Sequence, residues 1–133
     1  MAYTVESYYV KKGFKCVVIG TKRGYRYGYI GIPEGHPYFK VHYNDIDIPI
    51  HGGWTYSGFD KEYPVKNENI WWIGFDCAHY NDRKDIELIK KLGGDSICMF
   101  FYELEKEDTN KKVRTEEYVS NELSNAVKIL YDI

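Results

Sequence analysis

Two histidines and two carboxylates lie near one another in the middle of this chain. His51 opens the segment His51-Gly52-Gly53-Trp54-Thr55-Tyr56-Ser57; Asp76, His79 and Asp82 lie in and just after Trp71-Trp72-Ile73-Gly74-Phe75-Asp76-Cys77-Ala78-His79. Asp76, His79 and Asp82 recur at intervals of three, so a helical turn or a tight loop would bring them together, and His51 could reach them from a neighbouring strand end. Two imidazoles and two carboxylates make an acceptable nitrogen and oxygen set for a divalent metal that activates water. Without a metal, the same four side chains could serve as general acid and base, a carboxylate fixing the tautomer of a histidine. A structural hydrogen-bond network is the third reading of these residues.

The surroundings suit a small ligand. Gly52 and Gly53 carry no Cβ, so the backbone can turn sharply or approach a bound molecule closely. Trp54, Tyr56, Trp71 or Trp72 could stack on a base, and Lys22, Arg23 and Arg26, beside Tyr25, Tyr27 and Tyr29, could hold a phosphate. Arg23, Arg26, Tyr27, Gly52, Gly53, Trp54, Tyr56 and Trp72 are therefore the candidate ligand-binding residues, and a compact phosphate-bearing nucleotide is the ligand most consistent with both features. As one of two neighbours on a strand, either Trp71 or Trp72 should face the core.

Other chemistries find less support. Cys77 lies near His79, but neighbouring residues at a strand end tend to point apart, which disfavours a cysteine nucleophile. His51, Ser57 and Asp76 hold the letters of a catalytic triad without a nucleophile elbow around Ser57. No phosphate-binding loop, dinucleotide fingerprint or paired-cysteine zinc motif occurs.

The elements that must position these groups can be read from the patterning. At 133 residues the chain fits one domain over 1–133, long enough to bury its own core without disulfides. Tyr3 to Val10 alternates weakly and suits an edge strand. Phe14 to Ile19 and Tyr25 to Ile30 suit a β-hairpin closed by a basic, Gly-containing turn, with Tyr25, Tyr27 and Tyr29 on one face and Arg26 on the other. Pro33-Glu34-Gly35-His36-Pro37 reads as an ordered turn in which His36 packs. Val41 to Tyr43 and Ile46 to Ile50 are expected as short extended pieces, Pro49 marking an edge or a bulge. Asp60 to Asn69 is charged, holds Pro64 and has no period, so an exposed connection is expected there.

Ile70 to Phe75 is the most apolar strand candidate, and it delivers Asp76 at its end. The interval from Asp82 to Leu92 suggests a short helix that Asn81 could cap, and Ser96 to Leu104 reads as a further strand. Thr115 can cap a C-terminal amphipathic helix in which Tyr118, Val119, Leu123, Ala126, Val127, Leu130 and Tyr131 recur at three- and four-residue spacing. The expected architecture is α+β: a mainly antiparallel sheet with a short helix, and the C-terminal amphipathic helix packed on it.

Composition narrows the setting. Cys16, Cys77 and Cys98 are odd in number and follow no secretory signal, which points to a reducing compartment and no disulfide framework. Every apolar run is interrupted by Lys or Glu well short of a bilayer span, so no membrane segment is expected. Net charge is −2, but residues through His42 carry +5 and the remainder −7. That asymmetry suits a local anionic ligand or complementary contacts in a homo-oligomer better than extended nucleic acid. Fourteen tyrosines and three tryptophans suit pockets and subunit interfaces as well as sheet faces.

The segments Ile50-His51-Gly52-Gly53-Trp54-Thr55-Tyr56-Ser57 and Trp71 through His79, with Asp82 following, resemble an uncharacterised family of small phage and prophage proteins. Gly28-Tyr29-Ile30-Gly31-Ile32-Pro33-Glu34-Gly35-His36-Pro37 and Glu117-Tyr118-Val119 share the likeness, which covers most of the chain. In that family an aliphatic residue commonly stands at the position of Trp54, so the resemblance gives Trp54 no catalytic role. It implies a phage-encoded accessory protein of the bacterial host cytoplasm, and it brings no activity with it.

Small accessory phage proteins often counter host defences, several of which signal through modified or cyclic nucleotides. Two functions follow as expectations: a hydrolase that cuts such a nucleotide with water activated by His51, Asp76, His79 and Asp82, or a sponge that sequesters it intact. The collection of titratable groups at one strand end favours the hydrolase. A protein-binding inhibitor of a host factor is the third possibility.

Overall fold

The computed structural model describes residues 3–133. Apolar alternation and β-branching give three consecutive antiparallel strands, β1 (Tyr3–Lys11), β2 (Phe14–Thr21) and β3 (Arg26–Ile32). The basic turn closes the β2–β3 hairpin, as its glycine and lysine content predicts. After a long irregular excursion come β4 (Tyr56–Gly58) and β5 (Trp71–Asp76), and the sheet order is β1-β2-β3-β5-β4. β5 lies between β3 and β4, with Tyr27 opposite Asp76 and Tyr56 opposite Gly74.

The remaining elements are β6 (Asp82–Arg83), α1 (Ile86–Lys91), α2 (Ser96–Glu105), β7 (Lys112–Val113) and α3 (Glu116–Tyr131). Helix α3 covers one face of the sheet. Its Val119, Leu123, Ala126, Val127 and Leu130 are fully buried against Cys16, Val18, Ile30 and Phe75. Each buried valine or leucine among them contributes about 1.5–3 kcal/mol. Gly28 makes this approach possible, because a Cβ there would lie 2.9 Å from Val119 Cγ1 and 2.6 Å from the Phe75 ring. Thr115 caps the helix, its side chain accepting the Tyr118 N–H, as the sequence predicts. The expected α+β architecture, with the C-terminal helix on a mainly antiparallel sheet, is the observed one. Among the described residues no helix is long and apolar enough to cross a membrane.

Several local expectations are corrected. Val41–Tyr43 and Ile46–Ile50 form no strand; a 3-10 turn at Tyr43–Asp45 separates them. The carbonyls a sheet would have used are instead bonded to indoles, Val41 O accepting from Trp71 Nε1 and Ile48 O from Trp54 Nε1, both at 2.9 Å. The segment expected as a strand at Ser96–Leu104 is helix α2. Asp95 caps it by accepting the Cys98 N–H, and among the described residues no strand pairs with it. This helix buries none of its residues and leaves Ile97, Phe100, Phe101 and Leu104 exposed.

The helix expected from Asp82 begins only at Ile86, and Asp85 rather than Asn81 caps it. Asp82 and Arg83 pair in parallel with Lys112 and Val113 instead. The 60–69 connection is exposed at most positions, but Pro64 and Asn67 are buried. Tyr63 and Val65 pack against the face of the sheet opposite α3, over Val17, Ile19, Tyr29 and Trp72.

Candidate functional site

The site forms where β5 ends. Gly52 and Gly53 both have positive φ, and the Gly53 N–H donates to Ile50 O at 3.0 Å, so His51 sits at the corner of a tight turn. The His51 N–H donates to Glu122 Oε1 at 2.8 Å, which ties that turn to α3. On the other side, Asp76 closes β5 and its Oδ1 accepts the Ala78 N–H at 3.1 Å, a side-chain-closed turn that swings Cys77-Ala78-His79 away from the sheet. The Asp82 N–H returns to His79 O at 2.9 Å, and the β6–β7 pair then fixes Asp82 opposite Lys112.

His51 and Asp82 meet. His51 Nε2 lies 3.0 Å from both Asp82 oxygens, and its Nδ1 lies 2.8 Å from the Tyr118 hydroxyl. Because a carboxylate only accepts, Nε2 carries the hydrogen, and Nδ1 of the neutral ring accepts from Tyr118. Burial of Tyr118, followed by the nearby Glu122 charge, pushes its hydroxyl up and keeps that proton in place. The Asp82 side chain is fully buried and also accepts Arg114 Nε–H at 2.8 Å and the His79 N–H at 3.0 Å. Burial alone would raise its pKa. The bonds from His79, His51 and Arg114 outweigh that cost and hold the carboxyl below the usual range.

His79 and Asp76 form a second pair, Nε2 to Oδ1 at 3.3 Å, and both side chains are partly exposed. Asp76 Oδ2 also accepts from Thr55 Oγ1 at 3.2 Å. The two imidazoles stand 5.8 Å apart between ring centroids. The four predicted site residues thus gather in one place, as two separate imidazole–carboxylate pairs joined through the His79 main chain.

They do not gather as a four-ligand metal centre. The tightest ligating group is His51, Cys77 and Asp82, whose donor atoms lie within 4.8 Å of one another. Asp76 and His79 pair outside it. Asp82 already answers three donors, one of them the Arg114 guanidinium, whose charge opposes a cation at that carboxylate. Burial pushes the Cys77 thiol well up, which disfavours both a thiolate ligand and a cysteine nucleophile.

A cleft of about 390 Å³ opens over β3, β5 and β4, lined by Tyr27, Tyr29, Thr55, Tyr56, Tyr63, Phe75 and Asp76. The Tyr29 and Tyr63 hydroxyls are hydrogen-bonded to each other. Burial raises both, Tyr63 to about 12, so both remain neutral. Tyr29 meets Tyr56 edge to face at 5.6 Å and 86°. The predicted ligand residues Tyr27 and Tyr56 therefore line a cavity whose wall includes Asp76, the carboxylate that pairs with His79.

Four predicted ligand residues are placed elsewhere. Arg26 is buried and spent on internal partners: Nε lies 2.6 Å from Glu6, Nη1 lies 2.9 Å from Asp85, and Nη1 donates to Arg114 O at 3.2 Å. It offers no charge to a phosphate. Trp54 and Trp72 are core residues, 8% and 0% exposed, so neither can stack on a base. Arg23 is exposed at the hairpin turn and faces Tyr25 at 6.0 Å, and it does not line the cleft. Gly53 is exposed in the His51 turn.

Sequence reasoning missed Arg114, Tyr118 and Glu122. Tyr118 and Glu122 stand four apart on α3 and so share a face, and Arg114 immediately precedes the Thr115 cap. A polar patch on the first turns of an otherwise apolar helix face was the available signal. No family model, no curated protein and no solved structure matches this chain.

Proposed function

We propose that the protein hydrolyses a small phosphate-bearing nucleotide by metal-free acid–base chemistry at the end of β5. The observation that carries this reading is the pair of imidazoles, 5.8 Å apart, each held by its own carboxylate. The outer imidazole, His79, can remove a proton from water and return it to a leaving oxygen, while the inner pair braces the site. Arg114, bonded to the carboxylate that also receives the His79 N–H, is the cation best placed to meet a phosphate oxygen. It replaces Arg26 in the expected scheme.

In this scheme His79, steadied by Asp76 at Nε2, takes a proton from water at its other ring nitrogen. The resulting hydroxide forms a P–O bond while the bond to the leaving oxygen breaks. The departing oxygen takes the proton that His79 removed from water, while Tyr118 and Asp82 hold His51 in place beside the pair. The tyrosine cleft next to Asp76 holds the organic part of the ligand on its aromatic walls. A phage-encoded, anti-defence role in the bacterial cytoplasm is the biological context proposed with it, on the resemblance of the two central segments. Self-association through the exposed apolar face of α2 belongs to the same reading.

The test incubates the protein with cyclic and ADP-ribose-derived nucleotides in the presence of a chelator and follows both free and heat-released nucleotide by mass spectrometry. Turnover that His79→Ala reduces at least about 100-fold, the usual scale of acid–base assistance, supports the reading. Intact nucleotide that disappears from solution and returns on heating would replace hydrolysis with sequestration. Turnover only after metal is added, or turnover unchanged in His79→Ala, would overturn the mechanism.

A further inference from the structure

A second cavity, of about 380 Å³, lies at the opposite end of β5 and is lined by Glu34, Phe39, Lys40, Phe59, Lys61 and Asn69. Its volume falls in the range of about 300–1,000 Å³ that small-molecule sites occupy. Lys40 and Lys61 arrive from two separate connections, one before β4 and one after it, and both are exposed. Phe59 packs edge to face on Phe39 at 5.4 Å and on Trp71 at 4.9 Å, yet 42% of its surface remains exposed. The aromatic wall is thus braced from behind and open in front.

The backbone adds an independent observation. Lys12, Lys40 and Asn69 are the non-glycine residues at positive φ among those described, and two of the three line this cavity, Lys40 at 69° and Asn69 at 54°. Asparagine adopts this conformation readily, whereas lysine does so at a cost. Strained positions of this kind concentrate where a side chain must be presented to a ligand.

We infer that this cavity binds a nucleoside monophosphate, the phosphate between Lys40 and Lys61 and the base against Phe59. Two ammonium groups suit a phosphate dianion, and the phenyl face suits a planar ring. The Asn69 amide offers both a donor and an acceptor to the edge of the base, and Glu34 accepts from an exocyclic amino group. The cavity is separate from the His79 site and does not depend on the hydrolase reading.

The experiment is calorimetric titration of the full chain with AMP, adenosine and inorganic phosphate at low and moderate salt. AMP should bind at least 10-fold more tightly than adenosine or phosphate alone, and more weakly as salt rises. Lys40→Gln with Lys61→Gln should weaken AMP at least 10-fold and leave adenosine unchanged. Phe59→Leu should weaken AMP and adenosine and leave phosphate unchanged. His79→Ala should leave AMP binding intact, which separates this site from the other. No binding of AMP, or AMP binding that survives the double lysine variant, would overturn the assignment. Lys40→Gly provides a check independent of folding defects: relieved of its backbone strain, this variant should melt no lower than the parent while still losing AMP affinity.

Discussion

Gly52 packs directly beneath the His79 ring: a Cβ built on Gly52 would fall 2.1 Å from His79 Nε2, the nitrogen that faces Asp76. Its neighbour Gly53 has a similar positive φ, 84° against 69°, but a Cβ there meets nothing within 4 Å. Gly52→Ala and Gly53→Ala should therefore both cost about 1–2 kcal/mol for the left-handed backbone. Only Gly52→Ala should also displace the His79 ring. The imidazole resonances of His79 and the rate of nucleotide turnover distinguish the two variants. Equal behaviour would show that the contact does not set the ring position.

Asp82 carries the polar network, and its acid sensitivity has a definite sign. Its pKa is lowered in the folded protein, so the stability it contributes is complete above the unfolded carboxyl value of about 3.9 and is lost as pH falls through the lower folded value. Asp82→Asn removes the charge that answers Arg114 and His51 in a fully buried position. A loss of about 3–5 kcal/mol at neutral pH is expected, narrowing below about pH 4. Urea unfolding of parent and variant across pH 3–7 measures both. A difference that stays constant throughout would remove Asp82 from this role.

Arg26 should behave as a structural residue. With its side chain 8% exposed between Glu6 and Asp85, truncation leaves two carboxylates without their partner. Arg26→Ala is expected to destabilise the fold by about 3–5 kcal/mol, with nucleotide affinity of the remaining folded fraction unchanged. Thermal melts combined with titration at a temperature where the variant is folded separate the two effects.

Thiol chemistry should follow burial. Cys16 and Cys77 are 0% and 1% exposed, whereas Cys98 is partly open on α2. Burial also raises the Cys16 thiol to about 11 and drives Cys77 higher still. Alkylation of the native protein should modify Cys98 alone at first, with Cys16 and Cys77 reacting only on unfolding. Rapid labelling of Cys77 would reopen the case for a nucleophile beside His79.

Local pattern was sufficient wherever burial follows the period of the element. The hairpin of β2 and β3, the apolar strand β5 that ends at Asp76, and helix α3 with its Thr115 cap all repeat hydrophobic spacing that leaves one arrangement able to bury them. The convergence of His51, Asp76, His79 and Asp82 was legible for a related reason, since all four flank elements whose ends could be placed.

Tertiary contacts decided the rest. Apolar composition at Ser96–Leu104 is compatible with strand or helix, and the Asp95 cap, with no strand pairing there among the described residues, goes with helix. The carbonyls of Val41 and Ile48 turned to the indoles of Trp71 and Trp54, a choice no local period encodes. Arg26 was neutralised by residues 20 positions before it and 59 after it. Arg114, 32 positions beyond Asp82, reached that carboxylate because β6 and β7 pair. Sequence by itself fixes which groups could do chemistry. Their protonation, their partners and their freedom to meet a ligand depend on charges and hydrogen bonds supplied from distant parts of the chain.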